Sequence, residues 1–279
     1  MRIYNISRLI AAPFLAAAIY CGYAASGNFP NKAMSKYILP LGLIVMLIYV
    51  FHNQINIWWL KKYPIPLDEK DRDILNRYSP YYRELSINER IEVENNIFLM
   101  IKTKEFSAMG SKKEEVPYDF KLIIAMLGVE MAYHTGTPLL ENFDKVILYK
   151  HPFPSPVIKQ LHTVEINGED GVILFAMDHL SAATHNPEIF YHIGYHGWAE
   201  AFMYENPHLD YPAEVSWQSI EAVSGFSTAA ISGALGLPQI DTLPIGISLY
   251  FTQGEKMKGI DRKLYDQLES IFHRYDDIA

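Results

Sequence analysis

The chain has 279 residues, enough for one sizeable domain of about 100–200 residues and an appendage. Its 24 basic and 32 acidic residues leave a net charge of −8, which repels phosphate backbones and argues against a nucleic-acid partner. A lone cysteine, Cys21, rules out an intramolecular disulfide framework, and the hydrophobic 49% of the chain is weighted toward the N-terminus, where it points to membrane segments.

From Leu9 to Ala25 the sequence carries no charge and follows Arg2 and Arg8, so it predicts a membrane helix close to spanning length. The competing reading is a secretory signal, for which Ala24, Ala25 and Ser26 supply the small residues. A second apolar segment starts at Tyr37 and extends through Phe51 to about Leu60, ending in Trp58, Trp59, Lys61 and Lys62, residue types that favour the interface. Gly27, Pro30 and Asn31 break helices in the intervening Ser26–Lys36, so residues 1–62 are expected to form a transmembrane helical hairpin. Both ends of a hairpin lie on one side. Arg2, Arg8, Lys61 and Lys62 place that side in the cytoplasm of a cell inner membrane, although Lys32 and Lys36 in the turn reduce the contrast.

Residues 63–279 read as the soluble domain, entered through the Pro- and charge-rich KYPIPLDEKD. Ser86-Ile-Asn-Glu89 has the form of a capping box ahead of a helix with Ile91, Ile97, Phe98 and Ile101 near one face, and a second helix is expected over Tyr118–His134. Val146–Tyr149, Leu161–Ile166 and Val172–Ala176 are short β-branched runs bounded by Pro or Gly and predict strands, the last two closed into a hairpin by Gly168-Glu-Asp-Gly171. Asn186-Pro187-Glu188 offers an N-cap, a first-turn proline and an acid for a helix to about Tyr204. Further helices are expected from Ser216 to Leu235, where the small residues from Ser224 to Ala234 suggest close packing, and from Asp261 to Tyr275.

Chemistry concentrates in NPEIFYHIGYHGWAEAF. His192 and His196 are four apart, the spacing at which two imidazoles on one helix face grip one zinc ion, although such a pair more often consists of hydrogen-bonded structural histidines. The hydrolytic form of the motif needs Glu directly after the first His as general base, and that position holds Ile193, which cannot take a proton. Asp178, His179 and His185 precede this segment and are read as positional. No phosphate-binding glycine loop and no nucleophile elbow occur.

Together with Leu85-Ser-Ile-Asn-Glu-Arg90, Ile123-Ile-Ala-Met126, Val146-Ile-Leu-Tyr149, Gly171–Asp178 and Leu264-Tyr-Asp-Gln-Leu268, this segment resembles the Mlc titration factor A group of zinc-dependent peptidases. The resemblance spans roughly Tyr82 to Asp277 and implies an α+β, zincin-like domain with a small sheet, and zinc as cofactor. It also implies a third ligand, a glutamate in a stretch like Ala-Val-Ser-Glu; here Ala222-Val223-Ser224 is followed by Gly225. Glu221 is the nearest substitute, about 6 Å away along a helix, whereas Glu200 lies about 12 Å beyond His192 along the axis. The ligand set is therefore His192, His196 and Glu221 at most, and zinc is expected to be weakly held or absent. The leading expectation is a membrane-anchored, catalytically impaired homologue that binds a peptide or protein partner. The alternatives are an active zinc peptidase with a rearranged ligand set and a structural membrane protein.

Overall fold

A computed structural model describes residues 6–26, 32–110 and 115–273. The chain divides into two compact units, Met1–Pro66 and Leu67–Ala279. In the first, α1 (Ile6–Ser26) packs against α2 (Ser35–Val50), and α3 (His52–Lys62) follows. The Ser7 amide donates to Asn56 Oδ1 at 3.0 Å, tying α1 to α3. Among the described residues, α1 alone is long and apolar enough to cross a bilayer; α2 reaches that length only with α3, across a 66° bend.

The expected second membrane helix is thus broken. The chain leaves helical geometry at Phe51 (φ −95°, ψ 16°), where apolar sequence gives way to His-Asn-Gln and the His52 ring bonds the Tyr49 carbonyl at 2.7 Å. A transmembrane hairpin is not established, and residues 27–31 of its predicted turn, like Arg2, lie outside the described residues.

The larger unit opens with α4 (Glu69–Tyr78), α5 (Pro80–Glu84) and α6 (Ile87–Thr103). The capping box forms as read: Ser86 Oγ accepts from the Glu89 amide and Glu89 Oε2 accepts from the Ser86 amide. Buried Glu94 draws the three helices together by accepting two 2.9 Å bonds from Arg72 and one of 2.6 Å from Tyr82. An unexpected strand, β1 (Glu105–Met109), follows, then α7 (Tyr118–Ala132), β2 (Lys145–Tyr149), β3 (Val164–Asn167) and β4 (Val172–Ala176). The sheet order is β1-β2-β4-β3, with β1, β2 and β4 parallel and β3 antiparallel to β4 across the expected hairpin. The architecture is therefore a helix-rich α+β fold with one small sheet.

Next come α8 (Met177–His185), α9 (Ile193–Glu205), α10 (Trp217–Ser224), α11 (Thr228–Leu235), α12 (Thr242–Ile260) and α13 (Arg262–Phe272). Several boundaries differ from expectation. Asn186 caps the end of α8 instead of starting a helix, its carbonyl is bonded by the Ile189 and Phe190 amides in a turn, and α9 starts only at Ile193. The predicted Ser216–Leu235 helix breaks at Gly225, whose φ of +76° ends α10 in the left-handed conformation that glycine adopts without steric cost. Ala229, Ala230 and Gly233 are exposed and do not serve close packing, whereas Ser224 is buried. Strand β3 begins at Val164, because His162 pairs instead with Phe153 in an isolated bridge. The last helix ends at Phe272, with His273 in the left-handed region; Tyr275 lies outside the described residues.

Candidate functional site

Helix α9 lies against β3, β4, α7 and α12, and two glycines let it come that close. A Cβ on Gly197 would sit 2.6 Å from the Phe175 ring and 2.8 Å from Val164, so the sheet touches the helix backbone there. On α7, Gly128 leaves room for the fully buried Trp198, whose indole N–H donates to the Ile124 carbonyl at 2.9 Å. Beneath that indole, at 5.5 Å from the ring, buried Lys104 donates to the Leu140 and Phe143 carbonyls; burial pushes its ammonium down to about 8.

The first motif histidine lies at the boundary of the helix and not inside it. His192 is the N-cap residue of α9, with non-helical φ −86° and ψ 86°, and its Nδ1 accepts from the Tyr195 amide at 3.4 Å. It is 7% exposed, and burial lowers its imidazole to about 4, so the ring is neutral at physiological pH. His196 is 1% exposed, with Nδ1 2.8 Å from the Tyr191 hydroxyl. Its buried Nε2 makes no hydrogen bond among the described residues and stands 3.6 Å from Glu200 Oε1. Burial also raises the Tyr191 hydroxyl well above its ordinary range, so it remains a donor. Tyr195, between the two histidines, donates to Glu130 at 2.7 Å with both groups buried.

Ile193 is fully buried, its side chain part of the packing around α9. Gly225 lies outside any helix, with open space where a side chain would start. Glu221 is exposed and its carboxylate is engaged locally: Oε1 accepts from the Thr228 amide at 2.6 Å and hydroxyl at 2.7 Å, bonds that hold its pKa below the usual carboxylate range. Among the described residues no three His, Cys, Asp or Glu side chains come together in a group able to hold a metal ion. A catalytic zinc site needs three protein ligands and an open position for water, and the described residues do not assemble such a set.

What the sequence did not announce is a cavity of about 390 Å³ beside His192 and Tyr195. Met126, Leu127, Ala183 and Phe251 give it apolar walls, while Tyr78, Glu84, Gln253, Glu255 and Lys256 supply polar groups. Helix α12 is broken beside it: Gln253 has φ −143° and ψ 36°, and the Thr252 hydroxyl turns back to the Ser248 carbonyl at 2.9 Å. Tyr78 meets His185 Nε2 at 3.0 Å, so His185 braces a residue of the cavity lining. Asp178 and His179 belong to a different group, in which the carboxylate takes His151 at 2.9 Å and His179 at 2.8 Å. Burial alone would raise Asp178, but the bonds from His179 and His151 outweigh it and hold the acid below its ordinary value.

Comparison with known proteins agrees with this architecture in one respect and is silent in another. No curated protein matches the chain. The model of the glucose-regulated metallopeptidase M90 family matches residues 54–211, from within α3 through the histidine motif and short of Glu221 and Gly225. With more than half of its length matched, and the motif segment inside the match, the chain belongs to the Mlc titration factor A-like family of M90 metallopeptidases.

Proposed function

We propose that the chain is a membrane-anchored, catalytically impaired member of this family whose cleft binds a peptide or protein partner. The observation that carries the reading is Ile193, an aliphatic and fully buried side chain where hydrolysis on zinc requires a general base. Loss of a positioned base removes about two to four orders of magnitude in rate. The engagement of Glu221 by Thr228, and the partnering of His192 and His196 by Tyr195 and Tyr191, add to it, since metal retention depends on ligand count and geometry. The cavity beside His192 survives these losses and is what a partner would use. The length and apolarity of α1, with Arg2, Arg8, Lys61 and Lys62 around the anchor, support an inner-membrane location with the large domain in the cytoplasm.

The test is metal content and hydrolysis of unstructured peptides by the purified full chain, with and without chelator. Substoichiometric zinc and no chelator-sensitive cleavage are expected; one tightly held equivalent of zinc with turnover would overturn the reading. For topology, the large domain should resist protease added to intact cells and be digested after lysis. Digestion without lysis would contradict the cytoplasmic placement.

A further inference from the structure

His192 is more than nine-tenths buried and lines the cavity, yet it has only half of its hydrogen-bonding capacity in use. Because Nδ1 accepts the Tyr195 amide it carries no proton, and the ring proton sits on Nε2. Nε2 has no hydrogen-bond partner among the described residues, and it is not one of the polar atoms sealed from solvent. A donor that the protein leaves to solvent can be taken over by an acceptor on a bound molecule, which then replaces water there.

The cavity restricts what can bring that acceptor. At about 390 Å³ it falls within the ordinary range of ligand sites, and its apolar walls reward a large side chain. Its charged lining residues, Glu84, Glu255 and Lys256, are all exposed, so an ionised ligand side chain in the interior would have no buried counter-charge. Two acids against one base favour a basic neighbour at the mouth. The helix departs from regular geometry at Gln253, among the residues 252–256 that line the cavity, as suits docking of an extended chain.

Resting on the partner-binding reading above, we propose that this cavity receives one uncharged, apolar residue of an extended peptide segment. His192 Nε2 donates to the carbonyl beside that residue, so His192 acts as a recognition donor instead of a metal ligand. A basic residue next in the segment meets Glu84 and Glu255.

The experiment is equilibrium dialysis of radiolabelled N-acetyl-phenylalanine amide and N-acetyl-phenylalanyl-lysine amide against the full chain in nanodiscs. Chelator is present throughout, and N-acetyl-glutamate amide serves as the charged control. Both apolar probes should bind saturably at one site, the lysine-bearing probe more tightly, and the glutamate probe should not bind. His192→Phe, which keeps a ring but loses the donor, should weaken binding about three- to ten-fold, the scale of one neutral hydrogen bond. Ala183→Leu, which fills the cavity without touching His192, should weaken it more than about ten-fold, and it serves as the deciding variant if His192→Phe does not fold. No saturable binding to the unaltered chain, equal binding of the glutamate probe, or unchanged binding to both variants would overturn the proposal. Since dialysis is metal-free, zinc-dependent cleavage in the separate hydrolysis assay would defeat the impaired-enzyme reading and leave this outcome independently readable.

Discussion

Lys104 gives a quantitative prediction about the scaffold under the motif helix. The residue is 7% exposed, its ammonium caught between the Leu140 and Phe143 carbonyls and the Trp198 ring, and burial lowers it from the ordinary 10.5 to about 8. Glu205, Asp144 and Glu141 pull the other way but do not compensate for the desolvation. At about 1.36 kcal/mol per pH unit, that drop corresponds to about 3 kcal/mol of folding free energy. The sign follows from proton counting. Between pH 8 and 10.5 the unfolded chain holds the proton and the folded chain has released it, so this contribution is fully present above 10.5 and is lost as pH falls through 8. Lys104→Met removes both the titration and the two carbonyl contacts. Urea unfolding of the two proteins, compared at matched pH, should show the native chain gaining about 3 kcal/mol on the variant between pH 7 and 10.5. Tyrosine ionisation affects both proteins and cancels in the difference. A gap between them that stays constant across this range would refute the reasoning.

Gly197→Ala should destabilise the larger unit by about 1–3 kcal/mol, because the added methyl falls 2.6 Å from the Phe175 ring in a packed core; the thermal midpoint measures it. Ser86→Ala removes one arm of the capping box and should cost about 1 kcal/mol in the same assay, with a null effect showing the cap to be dispensable. Ile193→Glu restores the acid of the motif but buries it without a third metal ligand nearby. It should lower stability and leave metal analysis below one zinc per chain and hydrolysis at background. Chelator-sensitive turnover by that variant would show that a ligand set assembles after all.

The histidine segment, its missing Glu and the family are legible in the sequence because they are matters of residue identity at fixed spacing. The capping box and the β3–β4 hairpin are legible for a related reason: a cap and a tight turn are closed by residues three or four apart. Helix α12 is not. Its first half, Leu243–Phe251, is buried all round, so it shows no amphipathic period to read. Strand β1 depends on pairing with β2 across an intervening helix, which no local pattern encodes. The fate of the site was decided the same way. Spacing put His192 and His196 four apart on a predicted helix, whereas tertiary packing starts α9 at Ile193 and leaves His192 as its cap. Gly225 could be read as a lost ligand but not as the left-handed end of α10, and Glu221 could not be seen turning toward Thr228. Residue identity thus determined that an aliphatic side chain, Ile193, follows the first motif histidine. The packing of α7, α8, α9 and α12, held by contacts distant in sequence, decided that His192 would line a cavity.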